Sequence, residues 1–206
     1  ARLVGGRVGA EAVRVMLSAE KGDLGPVAAR MRVLPIPRRP PTPESVVRSR
    51  EIVQRTTPTS SPPPEWIFAK ERIVLDYLTQ TEPVVPVEVQ AIQVGPAVFL
   101  SNPAEYFCDM GLEIKERSPF PFTYVVELAN GGVGYVPNSE AFAKTGGGYE
   151  TVLSTYSSLA TDAGRQIVEA SVTLAEELTP GETAERPTVP PVTSVWGYGA
   201  LGPELD

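Results

Sequence analysis

A chain of 206 residues with 42% hydrophobic side chains is long enough to bury a core, which excludes disorder throughout. A formal net charge of −7, with no basic stripe interleaved with aromatics, excludes a phosphate-backbone binder, so no nucleic-acid partner is expected. No apolar run approaches the roughly 20 residues that cross a bilayer, so no transmembrane segment is expected.

The opening "ARLVGGRVGAEAVRVML" has no initiator methionine, and it reads as a processed or cut end of a longer protein. Leu3, Val4, Val8, Ala12, Val15 and Met16 recur near a 3.6-residue period, which predicts a helix over 3–19 that packs on a sheet. Val27 to Ile36 reads as a strand. Thr42 before Pro43 supplies an N-cap and first position for a helix to about Arg55, its basic residues facing solvent.

"TTPTSSPPPE", 56–65, is a Pro-rich surface loop that can hold neither a ladder nor a helix. A helix from Trp66 to about Leu78 follows, with Ile67, Val74 and Leu78 available for burial. "VEVQAIQVGPAVFLSN" holds two extended runs about Gly95-Pro96 and predicts a hairpin.

Asn102-Pro103-Ala104-Glu105 offers a cap, a proline at the first position and a carboxylate at the third, which predicts a helix over 102–117 with Phe107, Met110 and Ile114 on one face. "TYVVEL" reads as an inner strand. Asp162 to Leu178 is an amphipathic helix carrying Ile167, Ala170, Leu174 and Leu178. From Thr179 the chain is rich in proline and glycine, and an extended tail is expected, anchored by Trp196 and Tyr198. Alternating strands and helices favour an α/β (or α+β) layered sheet with flanking helices: a body over 1–178 and a tail over 179–206.

The residue types available narrow the chemistry. The chain has no histidine, which removes the usual general base and the commonest zinc ligand. Catalysis by these residues would have to use carboxylates, tyrosines or lysines. Cys108, the one cysteine, excludes an internal disulfide framework and reads most simply as a small buried hydrophobe. Glu105 sits where the hairpin's second strand hands over to the predicted helix, a place where ligands meet strand ends. On the residues alone its position three after Asn102 reads first as a capping-box residue.

Tyr135 stands in "NGGVGYVP", where clustered glycine shapes the backbone around something, or marks a bulge or hairpin beside a plain strand aromatic. Tyr149 follows three glycines in "GGGYE" and could be an ordinary loop tyrosine. Neither glycine cluster has the spacing of a dinucleotide or P-loop cradle. A hydrolase built on paired acids would need Asp109 or Glu150 beside Glu105.

Taken together, "VEVQAIQVGPAVFLSNPAEYFCDMGLEIKERSPFPFTYVVELANGGVGYVPNSEAF" continued by "GGGYETVLS" resembles the later part of the neutral ceramidase catalytic domain. That family runs a strand pair into Pro-Gly-Glu, then a helix, a strand, an Asn-rich turn with Gly-Tyr-Val and a later Tyr-Glu pair. The resemblance extends from about Val87 to Leu178, and more weakly to the first helix. It implies a zinc amidohydrolase acting on ceramide or a related lipid-like N-acyl substrate, in a secreted, periplasmic or cell-surface setting.

It also implies roles. The family's ligand glutamate falls on Glu105, its ligand tyrosine on Tyr135, and a transition-state-stabilising tyrosine on Tyr149. A catalytic zinc keeps a position for water and lowers its pKa to about 7, and a phenol can donate to the oxyanion that forms at an amide carbonyl. Two departures stand out. Ala104 replaces the family's glycine, and the family's two histidine ligands have no counterpart here. The resemblance therefore implies that an N-terminal segment or companion chain supplies them, and that these residues alone are inactive. The alternative is a structural or binding subunit that keeps the fold and has lost the site.

Overall fold

A computed structural model describes residues 1–19, 22, 24–56 and 60–183. Helix α1 (Arg2–Ser18) is followed by strand β1 (Val27–Pro37), helices α2 (Pro43–Arg55) and α3 (Pro64–Thr81), and strands β2 (Val84–Val94) and β3 (Ala97–Ser101). Then come β4 (Ala104–Tyr106), α4 (Cys108–Arg117), β5 (Phe122–Val126), β6 (Gly134–Val136) and α5 (Ala163–Glu176). The proposed anchors Trp196 and Tyr198 lie outside the described residues.

Four strands form a sheet in the order β1-β2-β3-β5, antiparallel except for the parallel pairing of β3 with β5. This is the α/β layered body expected. The β2–β3 hairpin turns at Gly95, where φ is +57° and glycine is the natural occupant. β5 lies at the edge of this sheet, so the expectation of an inner strand is corrected; the parallel crossover through α4 sets it beside β3, and among the described residues no strand pairs with its other side.

Helix α5 packs across β1, β2 and β3 on one sheet face, and α4 packs on β5 and α5. Inward-facing Val87, Val89, Ala91, Val98 and Leu100 meet Ile167, Leu174 and Ala175 there, all almost fully buried. Strand periodicity of two and helix periodicity near 3.6 bring these side chains together, and Ile167 and Leu174 are among those the helical pattern singled out. Arg117 clamps α4 to α5 through two hydrogen bonds to the Glu169 carboxylate, at 2.8 and 2.7 Å.

Helices α2 and α3 pack on each other through Val46, Ile52, Ala69 and Leu75. The Thr42 hydroxyl caps α2, accepting from the Ser45 backbone N–H at 3.2 Å. On α3 the buried positions are Ala69 and Leu75 rather than the expected Val74, which is exposed: the stripe facing α2 is rotated from the one the hydropathy pattern favoured.

Three further expectations are corrected. α1 forms where its period placed it but buries none of its residues, so it does not pack on the sheet. Cys108 is exposed at the start of α4, because the inward face of that helix is taken by Met110 and Ile114. The helix predicted from Asn102 begins only at Cys108; residues 104–106 form strand β4 instead.

Candidate functional site

The short strand β4 exists because residues distant in sequence complete its hydrogen bonds. It pairs in parallel with β6, placing Ala104 opposite Gly134, Glu105 opposite Tyr135 and Tyr106 opposite Val136. The loop that follows β5 straps this pair: backbone N–H groups of Leu128, Ala129 and Val133 donate to the carbonyls of Ala104, Asn102 and Pro103 at 3.0–3.1 Å. The buried Asn102 side chain accepts from the Ala104 backbone N–H at 3.1 Å, closing a local turn rather than capping a helix. The capping-box reading of Glu105 falls with that helix.

Opposed residues in a parallel ladder project on the same side of the sheet, with strands about 4.8 Å apart. Glu105 and Tyr135, both half-buried, are such a pair. The Tyr135 hydroxyl lies 3.3 Å from that of Tyr149, and the two rings meet edge to face with centroids 5.3 Å apart. Three oxygen groups from β4, β6 and the turn at Tyr149–Thr151 therefore gather at one place. The Tyr149 hydroxyl, and after it the Glu105 carboxylate, push the Tyr135 phenol above its ordinary pKa, because each favours keeping the proton between them.

Glycine makes this approach possible at one position above all. Gly134 has φ +80°, and a Cβ there would fall 2.3 Å from the Tyr156 carbonyl oxygen. That same carbonyl accepts the Tyr135 backbone N–H at 2.7 Å. The Tyr156 segment is in turn held by α3: the Phe68 and Tyr156 rings lie 6.4 Å apart, and the Thr155 hydroxyl donates to Glu71. Gly148, with φ +97°, turns the backbone just before Tyr149, which remains 56% exposed.

Sequence reasoning missed the supporting residues. The Tyr106 phenol, beside Glu105, points the other way and donates to the Gly164 carbonyl at 2.8 Å, fixing β4 to α5. Burial first, then the carboxylates of Glu113 and Asp109, push that phenol well above its ordinary range. Glu127 accepts the Tyr106 backbone N–H at 2.9 Å. Only an alternating pattern across Glu105-Tyr106 could have hinted at a strand, and three residues are too few to read.

Asp109, one of the two acids considered as a partner for Glu105, accepts a hydrogen bond from Asn138 at 2.6 Å and lines a cavity of about 530 Å³ with Glu113, Asp162 and Arg165. That lining does not include Glu105.

Could this place hold zinc? A carboxylate and a phenol side by side are oxygen donors that zinc accepts, and Glu105 and Tyr135 fit as part of a ligand set. Among the described residues there is no cluster of three or more His, Cys, Asp or Glu side chains suited to a metal ion. With no histidine in the sequence, nitrogen donors would have to come from elsewhere.

No protein-family model matches the chain, and no curated protein matches it. Solved structures do. A structure described as "Ceramidase complexed with C2" superposes with a TM-score of 0.53 at 17% identity, over 90% of this chain and 36% of that one. The neutral ceramidase from Pseudomonas aeruginosa superposes with a TM-score of 0.51 at 20% identity, over 90% of this chain and 34% of that one. The chain spans about a third of the length of each ceramidase, and in fold it is ceramidase-like over nearly all of its residues.

Proposed function

We propose that this chain is part of a zinc-dependent amidohydrolase resembling neutral ceramidase, acting on the amide of ceramide or a related N-acyl substrate. The observation that carries the reading is the pairing of Glu105 with Tyr135 across β4 and β6, with the Tyr149 hydroxyl 3.3 Å from that of Tyr135. The ceramidase-like fold supports it, since the pairing lies within the part of the chain where the sequence resembles that family.

In this reading Glu105 and Tyr135 are ligands to the metal, and the histidine ligands come from an N-terminal segment or companion chain. When bound, zinc would supply a Lewis acid and a water acidified to a pKa of about 7. Tyr149 is exposed enough to meet a substrate, and its phenol would donate a hydrogen bond to the amide oxygen as negative charge builds there. Its edge-to-face contact with Tyr135 and the turn at Gly148 orient it. Tyr106 positions β4 without touching substrate.

The test is elemental analysis of the native, full gene product together with its rate of N-acyl sphingosine hydrolysis. Stoichiometric zinc, lost in Glu105→Gln and reduced in Tyr135→Phe along with hydrolysis, supports the reading. A native product without zinc, whose behaviour neither substitution changes, overturns it. A structural or binding subunit that keeps the fold is then left standing.

A further inference from the structure

An antiparallel sheet that meets water on one face alternates apolar and polar side chains along its strands. The middle of β2 follows that rule, with Glu88 and Gln90 outward, but the sheet nearer Gly95 does not. Its face away from α4 and α5 carries an in-register row, Ala29–Ile92–Phe99–Tyr124, that crosses all four strands. Met31 and Phe122 extend it on neighbouring rows, and the five larger side chains among these six are 39–59% exposed. The Phe99 and Tyr124 rings stack at 5.1 Å and 21°, making a flat aromatic floor. Contiguous exposed apolar surface of this kind marks a contact with protein, membrane or ligand.

The occupant can be argued from what this chain contributes to its fold. Nine-tenths of it superposes on only 36% and 34% of two ceramidases, so about two thirds of that fold lies outside these residues. β3, which carries part of that apolar row, ends at Ser101, and the same chain enters β4 at Ala104, one residue before Glu105. A layer seated on β3 would therefore lie over the strand that leads directly into the candidate site. A second copy fits poorly, since each carries a net charge of −7.

We propose that this sheet face seats the polypeptide carrying the rest of the ceramidase fold, joined to these residues or held as a separate chain. The occupant presents an apolar layer to Ile92, Phe99 and Tyr124. This rests on the reading of the chain as part of a ceramidase-like hydrolase.

The experiment places the photo-crosslinker p-benzoylphenylalanine at Phe99, at Tyr124 and, as a control, at the exposed Val47 of α2, in the full gene product made in its native host. These aromatic replacements preserve the character of the face, and circular dichroism checks folding. Crosslinked peptides are sequenced, and zinc and N-acyl sphingosine hydrolysis are measured on the same material. Crosslinks from positions 99 and 124, absent from 47, to residues outside these 206 that belong to the remaining ceramidase fold support the proposal. Crosslinks to a second copy of the chain, or to solvent-quenched products alone, overturn it. Zinc and hydrolysis without those crosslinks sink the docking face but leave the hydrolase reading; those crosslinks without zinc or hydrolysis do the reverse.

Discussion

Glu105 and Tyr135 stand opposite each other in a two-stranded parallel ladder, although a helix, a strand and a glycine-rich loop separate them in the chain. If both are ligands, changing either should cost the metal, whereas changing Tyr149, the neighbour that would donate to substrate, should not. Glu105→Gln keeps the shape of the side chain and removes its charge, so zinc content of the native product should fall with hydrolysis. Tyr149→Phe should leave zinc in place and lower kcat by about 10²-fold, the loss typical of one donor to an oxyanion. Metal analysis beside steady-state kinetics separates the two; equal zinc loss in both would contradict the division of roles.

Gly134 tests the backbone that presents Tyr135. A Cβ there would meet the Tyr156 carbonyl oxygen at 2.3 Å, and φ is +80°. Gly134→Ala should therefore destabilise the chain by more than about 1 kcal/mol in urea unfolding. Gly132, which has open space around it, should accept alanine with a much smaller change.

The α4–α5 clamp predicts an acid sensitivity. Arg117, hydrogen-bonded to Glu169, holds that carboxyl below its ordinary value of 4.5. A carboxyl depressed in the folded state contributes stability that is present above the unfolded pKa and is lost as pH falls through the lower folded one. The urea midpoint should thus drop as pH goes from about 5 to about 3, and Arg117→Ala should flatten part of that drop. An unchanged pH profile in the variant would show that the clamp contributes nothing measurable.

Ile167 projects from α5 into the core and is fully buried. Ile167→Ala should cost about 2–5 kcal/mol, since the sheet beneath it cannot close the cavity completely. Val47→Ala, on the exposed face of α2, should stay within about 0.5 kcal/mol. Chemical denaturation of both reports whether α5 is the main cover of the sheet.

Much of the architecture was legible in the residues. The period over Asp162 to Leu178 pointed to α5 and to Ile167, Ala170, Leu174 and Leu178 as its buried side chains, Thr42-Pro43 marked the start of α2, and the two extended runs about Gly95-Pro96 marked the hairpin; each is a pattern of near neighbours in the chain. The absence of histidine was plain from composition, and with it the need for donors from elsewhere if a metal is held.

The site itself was decided in three dimensions. Asn102-Pro103-Ala104-Glu105 has the composition of a helix start, yet the Asn102 side chain satisfies the Ala104 N–H equally well in a turn. Local chemistry could not choose between them. The ladder with β6 and the strap from residues 128–133 supplied the hydrogen bonds that made a strand the better answer, and so turned Glu105 from a cap into the neighbour of Tyr135. Likewise nothing in the hydropathy of β5 distinguished an inner strand from an edge, because its outward side chains are as apolar as its inward ones. Pairing between distant segments depends on the register of the whole fold, and no window of neighbouring residues encodes that.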